Sequence, residues 1–343
     1  MIPEITLTGS PRERGRTHGE AVGALMPDAI DRWLARLAET GAPGDFVERL
    51  IGETQLLKSA ERETPDLVEE VRGIAEGANQ PFGTMLAWQF IDEAWWYLDE
   101  LLGEMPPLER CSAFAINHRG NGLAGQTQDL YRHLDGFQVM LRHVDDELEI
   151  LIPSVSGLLG FNGVNSAGLA VCITTLSQLA HSSSGLSSGF IVPVLLRCRS
   201  IDEALDLLRN TPIASGNSFT LAQRDRSVVV EVSATEITVV DDGGRALHTN
   251  HPLRQKPVHV YDRFESSLER LGQLERTVRP DSTLDQMTAM YASGAICQSR
   301  SDDSPVVSLG TMLFELGDDQ VCHYGPGPLD EEPLITYRMR GTT

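Results

Sequence analysis

The sequence predicts an α+β protein: a helical first third followed by a chain dominated by strands. Three observations carry that prediction. Apolar residues recur at helical spacing up to about residue 105, the period changes to two at Cys111, and no regular βαβ alternation follows. With 343 residues, 41% of them hydrophobic and 22% charged, the chain can form one large domain or two ordinary ones around a substantial core.

The elements follow in order. From residue 18 to 105, Ala29, Ile30, Trp33, Leu34 and Leu37 form one apolar stripe, and Leu67, Val71, Ile74 and Ala78 form another. Pro65 and Asp66 mark a helix start, with acid in the first turn where the helix dipole favours it. "WQFIDEAWWYLDELL" (88–102) reads as one core-facing aromatic helix, and "GEMPPLE" (103–109) as an exposed loop that breaks it. "CSAFAINHRGNGLAGQTQDL" (111–130) then reads as strand, hairpin turn and return strand. "FQVMLRHVDDELEILIPS" reads as two strands around an Asp-Asp turn, and "GVNSAGLAVCITTL" as a strand after a glycine-rich turn. "SGLSSG" (184–189) reads as a flexible connection. "PVLLRCRSIDEALDLLRNTP" reads as one amphipathic helix with Ile201, Leu205 and Leu208 on its apolar face. "NSFTLAQRDRSVVVEVSATEITVV" reads as a hairpin and "ALHTN" as a strand end.

Composition excludes several classes. The formal net charge is −21, with 10 basic and 21 acidic residues in 1–110 and 18 and 28 in 111–343. Nucleic acid and anionic membrane surfaces demand basic patches, so neither is an expected partner. No apolar run reaches the length of a membrane span, and "MIPEITLTGSPRERG" lacks the pattern of a signal peptide, so a cytoplasmic chain is expected. No nucleotide-binding glycine loop follows a strand, and no cofactor is expected. Cys111, Cys172, Cys198, Cys297 and Cys322 are odd in number and lack any C-x-x-C, which argues against a disulfide framework or a thiolate metal site.

Cys111 stands at a loop-to-strand junction, and such a thiol has two readings. One is a small buried hydrophobe, which the other four cysteines fit. The other is a nucleophile. If the Arg110–Cys111 bond is cut, one residue carries a thiol and a free α-amine, of ordinary pKa about 8.5 and about 7.7–8.0, so the amine can take the thiol's proton near neutrality.

Five blocks, in order, resemble the penicillin acyltransferase family, the isopenicillin N acyltransferase-like cysteine Ntn hydrolases. They are GSPRERGRTHGEA (9–21), EEVRGIAEGA (69–78), CSAFAINHRGNGLAGQTQDL (111–130), VNSAGLAV (164–171) and HTNHPL (248–253). The resemblance implies a four-layered αββα sandwich made as a precursor and cut between Arg110 and Cys111. It yields a mainly helical segment, 1–110, and a catalytic segment, 111–343, that begins with the nucleophile. The helical segment is expected to stay docked as a partner, because its aromatic face needs a surface to bury against.

The resemblance also implies roles. Cys111 matches the nucleophile and Asp129, eighteen residues on, the acid beside the new amine. Asn250 matches the residue whose amide donates to the oxyanion, with a second donor from backbone near Thr174 or Thr175. On their own, Asp129 reads equally as a strand-end turn cap and Asn250 as a turn former. Two departures stand out. "AICQSR" places Gln298 where the family usually has arginine, leaving Arg300 two positions on as the candidate replacement, and Arg110 stands where the penicillin enzyme has glycine. His18 is expected to be structural, and His248 and His251 flank Asn250 with no ligand spacing for zinc. The implied activity is acyl transfer from an amide or thioester, acyl-CoA included, through a Cys111 thioester to an amine or water. Strict amide hydrolysis and an uncleaved, ligand-binding relative are the competing readings. Nothing in the sequence specifies an oligomeric state.

Overall fold

The computed structural model describes residues 2–103, 110–258, 265–301 and 304–340. The chain opens with β1 (Glu4–Leu7), a strand that helical periodicity does not reveal, and α1 (Pro11–Val22), capped by Ser10 and Glu13 in a reciprocal box. Six more helices follow: α2 (Met26–Glu39), α3 (Phe46–Glu53), α4 (Leu56–Glu63), α5 (Pro65–Gly77), α6 (Phe82–Gln89) and α7 (Ile91–Leu102). The expected loop at 103–109 lies, beyond Gly103, outside the described residues.

The helix expected over 88–102 is two helices with a break at Phe90. Gln89 explains the break: its side chain accepts from the Leu159 N–H (3.0 Å) and donates to the Gly157 carbonyl (2.8 Å), while Trp88 Nε1 donates to the Ser156 carbonyl (3.1 Å). Tertiary demand from the turn at 156–159 overrides the uninterrupted aromatic pattern.

After the helices come β2 (Arg110–His118), β3 (Asn121–Tyr131), β4 (Gln138–Val144), β5 (Glu149–Val155), β6 (Gly163–Asn165) and β7 (Ala170–Thr175). Next come α8 (Ser188–Leu195) and α9 (Ile201–Asn210), where one helix was expected. Asn165 Nδ2 captures the carbonyls of Leu196 (2.9 Å) and Cys198 (2.7 Å), which a continuous helix would use internally, and Ser200 then caps α9. The Ser/Gly connection at 184–189 is no loose loop: Leu186 to Gly189 are buried, and Gly185 N–H donates to Ser59 Oγ (3.0 Å).

The expected hairpin from residue 217 is a three-stranded meander, β8 (Asn217–Ala222), β9 (Ser227–Val232) and β10 (Ile237–Asp241). The chain ends with β11 (Arg245–His248), α10 (Glu265–Thr277), α11 (Leu284–Tyr291), β12 (Val306–Leu316), β13 (Gln320–Gly325) and β14 (Ile335–Arg338).

These strands form an eight-stranded sheet in the order β1-β4-β5-β6-β7-β8-β9-β10 and a six-stranded sheet in the order β11-β2-β3-β12-β13-β14. Small residues, Ala113, Ala115, Ala124, Ala170 and Ala222, let the sheets pack face to face. Helices α1 to α9 cover the outer face of the larger sheet. Leu274, Val278, Met287 and Tyr291 of α10, α11 and their flanks cover Phe114, Ile116 and Leu313 on the smaller one. The result is the four-layered αββα sandwich. The helical first third does not stand apart, because β1 pairs in parallel with β4 inside the larger sheet.

Two of the sequence blocks have a packing cause. Gly15 and Gly19 of α1 face Gly73 and Gly77 of α5 so closely that a Cβ on Gly15 would lie 1.9 Å from the Glu70 carbonyl oxygen. Arg14 and the buried Glu70 form an ion pair across this contact (2.9 Å). His18 is structural, its Nε2 accepting from the Gly157 N–H (3.1 Å), and burial pushes it down to about 3. Gly15→Ala should therefore destabilise the fold by about 1–3 kcal/mol or more. Gly52→Ala, on a helix where an added Cβ meets nothing within 4 Å, should stabilise it by about 0.5–1 kcal/mol. Denaturant unfolding of both variants checks the contrast.

Candidate active site

The site is built where β2 begins. Cys111 is 4% exposed and pairs with Gln128 of β3. It borders a small cavity, about 20 Å³, shared with Gln126, Gln128, Ile173 and Thr175 and with Asp92 at the start of α7. That is room for about one water molecule.

The backbone of Cys111 is held on both sides. Its N–H donates to Asn250 Oδ1 at 2.6 Å, and its carbonyl accepts from Arg270 Nη1. Arg270 also donates to Ser112 Oγ (3.0 Å) and, through Nη2, to Asn250 Oδ1 (3.0 Å). Arg270 is 1% exposed, so a charge is buried here, and its acceptors compensate what desolvation would otherwise cost. Burial draws its pKa down, while Asp129 and Cys111 pull it back up. Tyr291, buried on α11, donates its hydroxyl to the Ser112 carbonyl (3.0 Å) and fixes the next residue of the same strand.

Asn250 sits on a braced loop. Its N–H donates to Ser267 Oγ (2.8 Å), its carbonyl accepts from Gln178 Nε2 (3.1 Å), and its Nδ2 donates to the Thr175 carbonyl (3.1 Å). Beneath the loop, the Glu231 carboxylate accepts from the backbone N–H groups of Leu253, Arg254 (3.1 Å) and Gln255 (2.7 Å) and contacts His248 Nε2 (3.1 Å). Burial raises the Glu231 pKa, but the His248 contact and the backbone donors outweigh it and hold it below the usual range. His248 and His251 thus support the loop: His251 Nδ1 contacts Ser267 Oγ (2.8 Å), and burial pushes its pKa down to about 4.

Asp129 lies directly across the ladder from Arg110 and is fully buried. Its Oδ1 accepts from Ser308 Oγ (2.6 Å), and its Oδ2 has no hydrogen-bond partner among the described residues. Burial pushes it up to about 7, against the opposing pull of Ser308, Arg270 and Arg110. Such a carboxyl exchanges a proton near neutrality.

The structure brings Cys111, Asn250 and Thr175 into one constellation, with Asp129 one ladder step away beside Arg110. Asn250 meets Cys111 with its amide oxygen, and its nitrogen faces Thr175. The Thr174 hydroxyl turns instead to the Thr249 carbonyl (3.0 Å). Gln298 contacts Arg110, Nη1 to Oε1 at 2.9 Å. Arg300 does not reach Cys111: it is held by Asp135 (2.7 Å) and Glu331 (2.8 Å). The buried guanidinium at the site is Arg270, which the sequence reading missed. Its only signal is Ser267, Arg270 and Leu274 at positions i, i+3 and i+7, the buried stripe of α10.

Cys111 thus stands on a strand inside an αββα sandwich, its backbone nitrogen held by an amide and its carbonyl by a guanidinium. The profile of the acyl-coenzyme A:6-aminopenicillanic acid acyl-transferase family matches residues 119–319, more than half of the chain, and the protein belongs to that family. It is 25% identical over 330 residues to the 40 kDa form of acyl-coenzyme A:6-aminopenicillanic-acid-acyltransferase from Emericella nidulans, covering 92% of this chain and 89% of the relative. Among solved structures it is similar to a penicillin V acylase from Agrobacterium tumefaciens, at 13% identity and a TM-score of 0.45 over 67% of this chain and 86% of that one. It is also similar to a variant of the conjugated bile acid hydrolase from Clostridium perfringens, at 12% identity and a TM-score of 0.43 over 68% and 98%.

The carboxyl of Asp129 makes stability depend on pH. It keeps its proton to about pH 7 in the folded chain but only to its ordinary 3.8 in the unfolded one. Between these values the folded state holds more protons, so stability falls as pH rises. In a Cys111→Ala background, Asp129→Asn should remove the share of the slope that this carboxyl contributes, on the order of a few kcal/mol between pH 4 and 8. Buried Glu93, also pushed up to about 7, keeps its own share in both proteins. Urea unfolding at both pH values measures it, and identical pH slopes for the two proteins would contradict the burial effect.

Proposed function

We propose that the chain cuts itself between Arg110 and Cys111 and then works as a cysteine acyltransferase or amidohydrolase. One observation carries this reading: the nitrogen and carbonyl of Cys111 are both fixed by buried side chains, which a merely space-filling cysteine does not require. In self-cleavage the Cys111 thiol attacks the Arg110 carbonyl carbon. A carbon–sulfur bond forms, the carbon–nitrogen bond breaks, and the thiol's proton ends on the departing nitrogen. Asn250 Oδ1 is already hydrogen-bonded to that nitrogen. Water then resolves the thioester, leaving Arg110 as a carboxylate and Cys111 with a free α-amine.

In turnover the amine accepts the thiol's proton, and the thiolate adds to the carbonyl of an acyl amide or acyl thioester. Asn250 Nδ2, which spends one of its two N–H donors on the Thr175 carbonyl, gives the other to the oxyanion, a contact whose removal typically costs about 10²–10³ in rate. The amine returns its proton to the leaving group. The acyl group passes from sulfur to an amine or to water. The relative's acyl-CoA donor and β-lactam amine acceptor fit this scheme, as does any donor of the same chemistry. Asp129, near neutrality, exchanges protons with the new amine.

Intact mass tests the reading. Wild-type protein should appear as two pieces, 1–110 and 111–343, and Cys111→Ala as one species near 37.6 kDa. A thioester probe should add its acyl mass to the larger piece, and an added amine should divert product from acid to amide. Wild-type protein that stays whole and takes up no acyl group would sink the proposal.

A further inference from the structure

The residue before the proposed cut is held by its side chain. Arg110 Nη1 donates to Gln298 Oε1 at 2.9 Å. Gln298 cannot turn away. Its Nε2 donates to the Ala295 carbonyl (3.0 Å), its backbone N–H donates to Ser308 Oγ (2.9 Å), and its carbonyl accepts from the Ser308 N–H (2.8 Å). Ser308 Oγ in turn donates to Asp129 Oδ1 (2.6 Å). Arg110, Asp129 and Ser308 are direct partners across three adjacent strands, and a register shift in β12 immediately follows Ser308. Bulges of that kind re-aim side chains. The outcome is a closed circuit, Arg110 to Gln298 to Ser308 to Asp129 and back across the ladder to Arg110, on the acyl side of the bond that would be cut.

We propose that Arg110 and Gln298 are positioning residues for cleavage of the Arg110–Cys111 bond. This rests on the self-cleavage reading above. Asn250 and Arg270 fix only the Cys111 side of that bond. The carbonyl that the thiol must reach belongs to Arg110, and its placement depends on what holds Arg110. Misplacement of a reacting group by about 1 Å can cost a hundredfold in rate, so a charge-assisted hydrogen bond on the acyl side has a direct kinetic consequence. Gln298 supplies a neutral, firmly oriented acceptor there. A second guanidinium at 298 would repel Arg110 instead.

The test follows freshly synthesised full-length chain by intact mass as the two pieces form. Arg110→Ala and Gln298→Ala should each slow cleavage about tenfold, the loss expected for one hydrogen bond to a charged group. The double variant should be no slower than either single one, and Gln298→Glu, which keeps an acceptor oxygen, should cleave close to the parent rate. The same substitutions in a Cys111→Ala background should leave the melting temperature at that of the parent, a readout that a merely structural role would shift. Parent-like cleavage in either alanine variant, losses that multiply in the double variant, or slowing matched by a lower melting temperature each overturn the proposal. A parent chain that never divides overturns self-cleavage itself, a result visible before any variant is compared.

Discussion

The Arg270 guanidinium is the interaction on which the site depends. It comes from α10 in one outer layer, passes the first strand of the smaller sheet, and ends on the Cys111 carbonyl, the Ser112 hydroxyl and the Asn250 amide oxygen. A single buried cation thus joins three separate parts of the chain: the start of β2, the loop after β11 and the helix layer. A buried ion is costly unless its donors are matched, and breaking such a set by removing one partner leaves an uncompensated charge worth about 3–5 kcal/mol. That cost makes the geometry around Cys111 close to all-or-none. The amide of Asn250 cannot rotate without stranding either Arg270 or the Cys111 nitrogen.

A second layer of order stands behind the first. Glu231 draws three consecutive backbone N–H groups of the loop after Asn250 onto one carboxylate, while His248 steadies that carboxylate from the strand side. The HTNHPL block is therefore mostly a scaffold, with Asn250 the one side chain it presents to Cys111. In the helix layer over the larger sheet, the glycines of α1 and α5 press two helices together at backbone contact, and His18 bonds to the turn at Gly157. Supports of these two kinds, a polar brace and a close helix contact, lie outside the site and determine where its walls stand.

Much of this was legible in the sequence, for physical reasons that can be named. Small and large side chains alternate from Cys111 on, Ala113 and Ala115 packing in the layer between the sheets and Phe114 and Ile116 under the outer helices, so the change of period located β2 and β3 and the turn between them although both faces are buried. Cys111, Asp129 and Asn250 stood out as candidates because their blocks occur in order. What escaped were features decided by distant partners. Gln89 and Asn165 divert backbone groups and so split two helices that apolar spacing reads as continuous. Arg270 escaped because an arginine on a helix ordinarily belongs to the solvated face, and only its tertiary acceptors reveal that it points inward. Arg300, chosen by proximity to Gln298, is instead an outer-rim ion pair with Asp135 and Glu331.

The parallel pairing of β1 with β4 has one more consequence. If the backbone is severed before Cys111, the amino-terminal piece remains woven into the larger sheet by β1, with its own helices α1 to α7 packed over that sheet. Separation of the pieces would then require global unfolding. Once parted, they could reassemble only by encounter, so refolding would become second order and the unfolding midpoint would move with protein concentration. One continuous polypeptide would thereby acquire the thermodynamics of an obligate heterodimer.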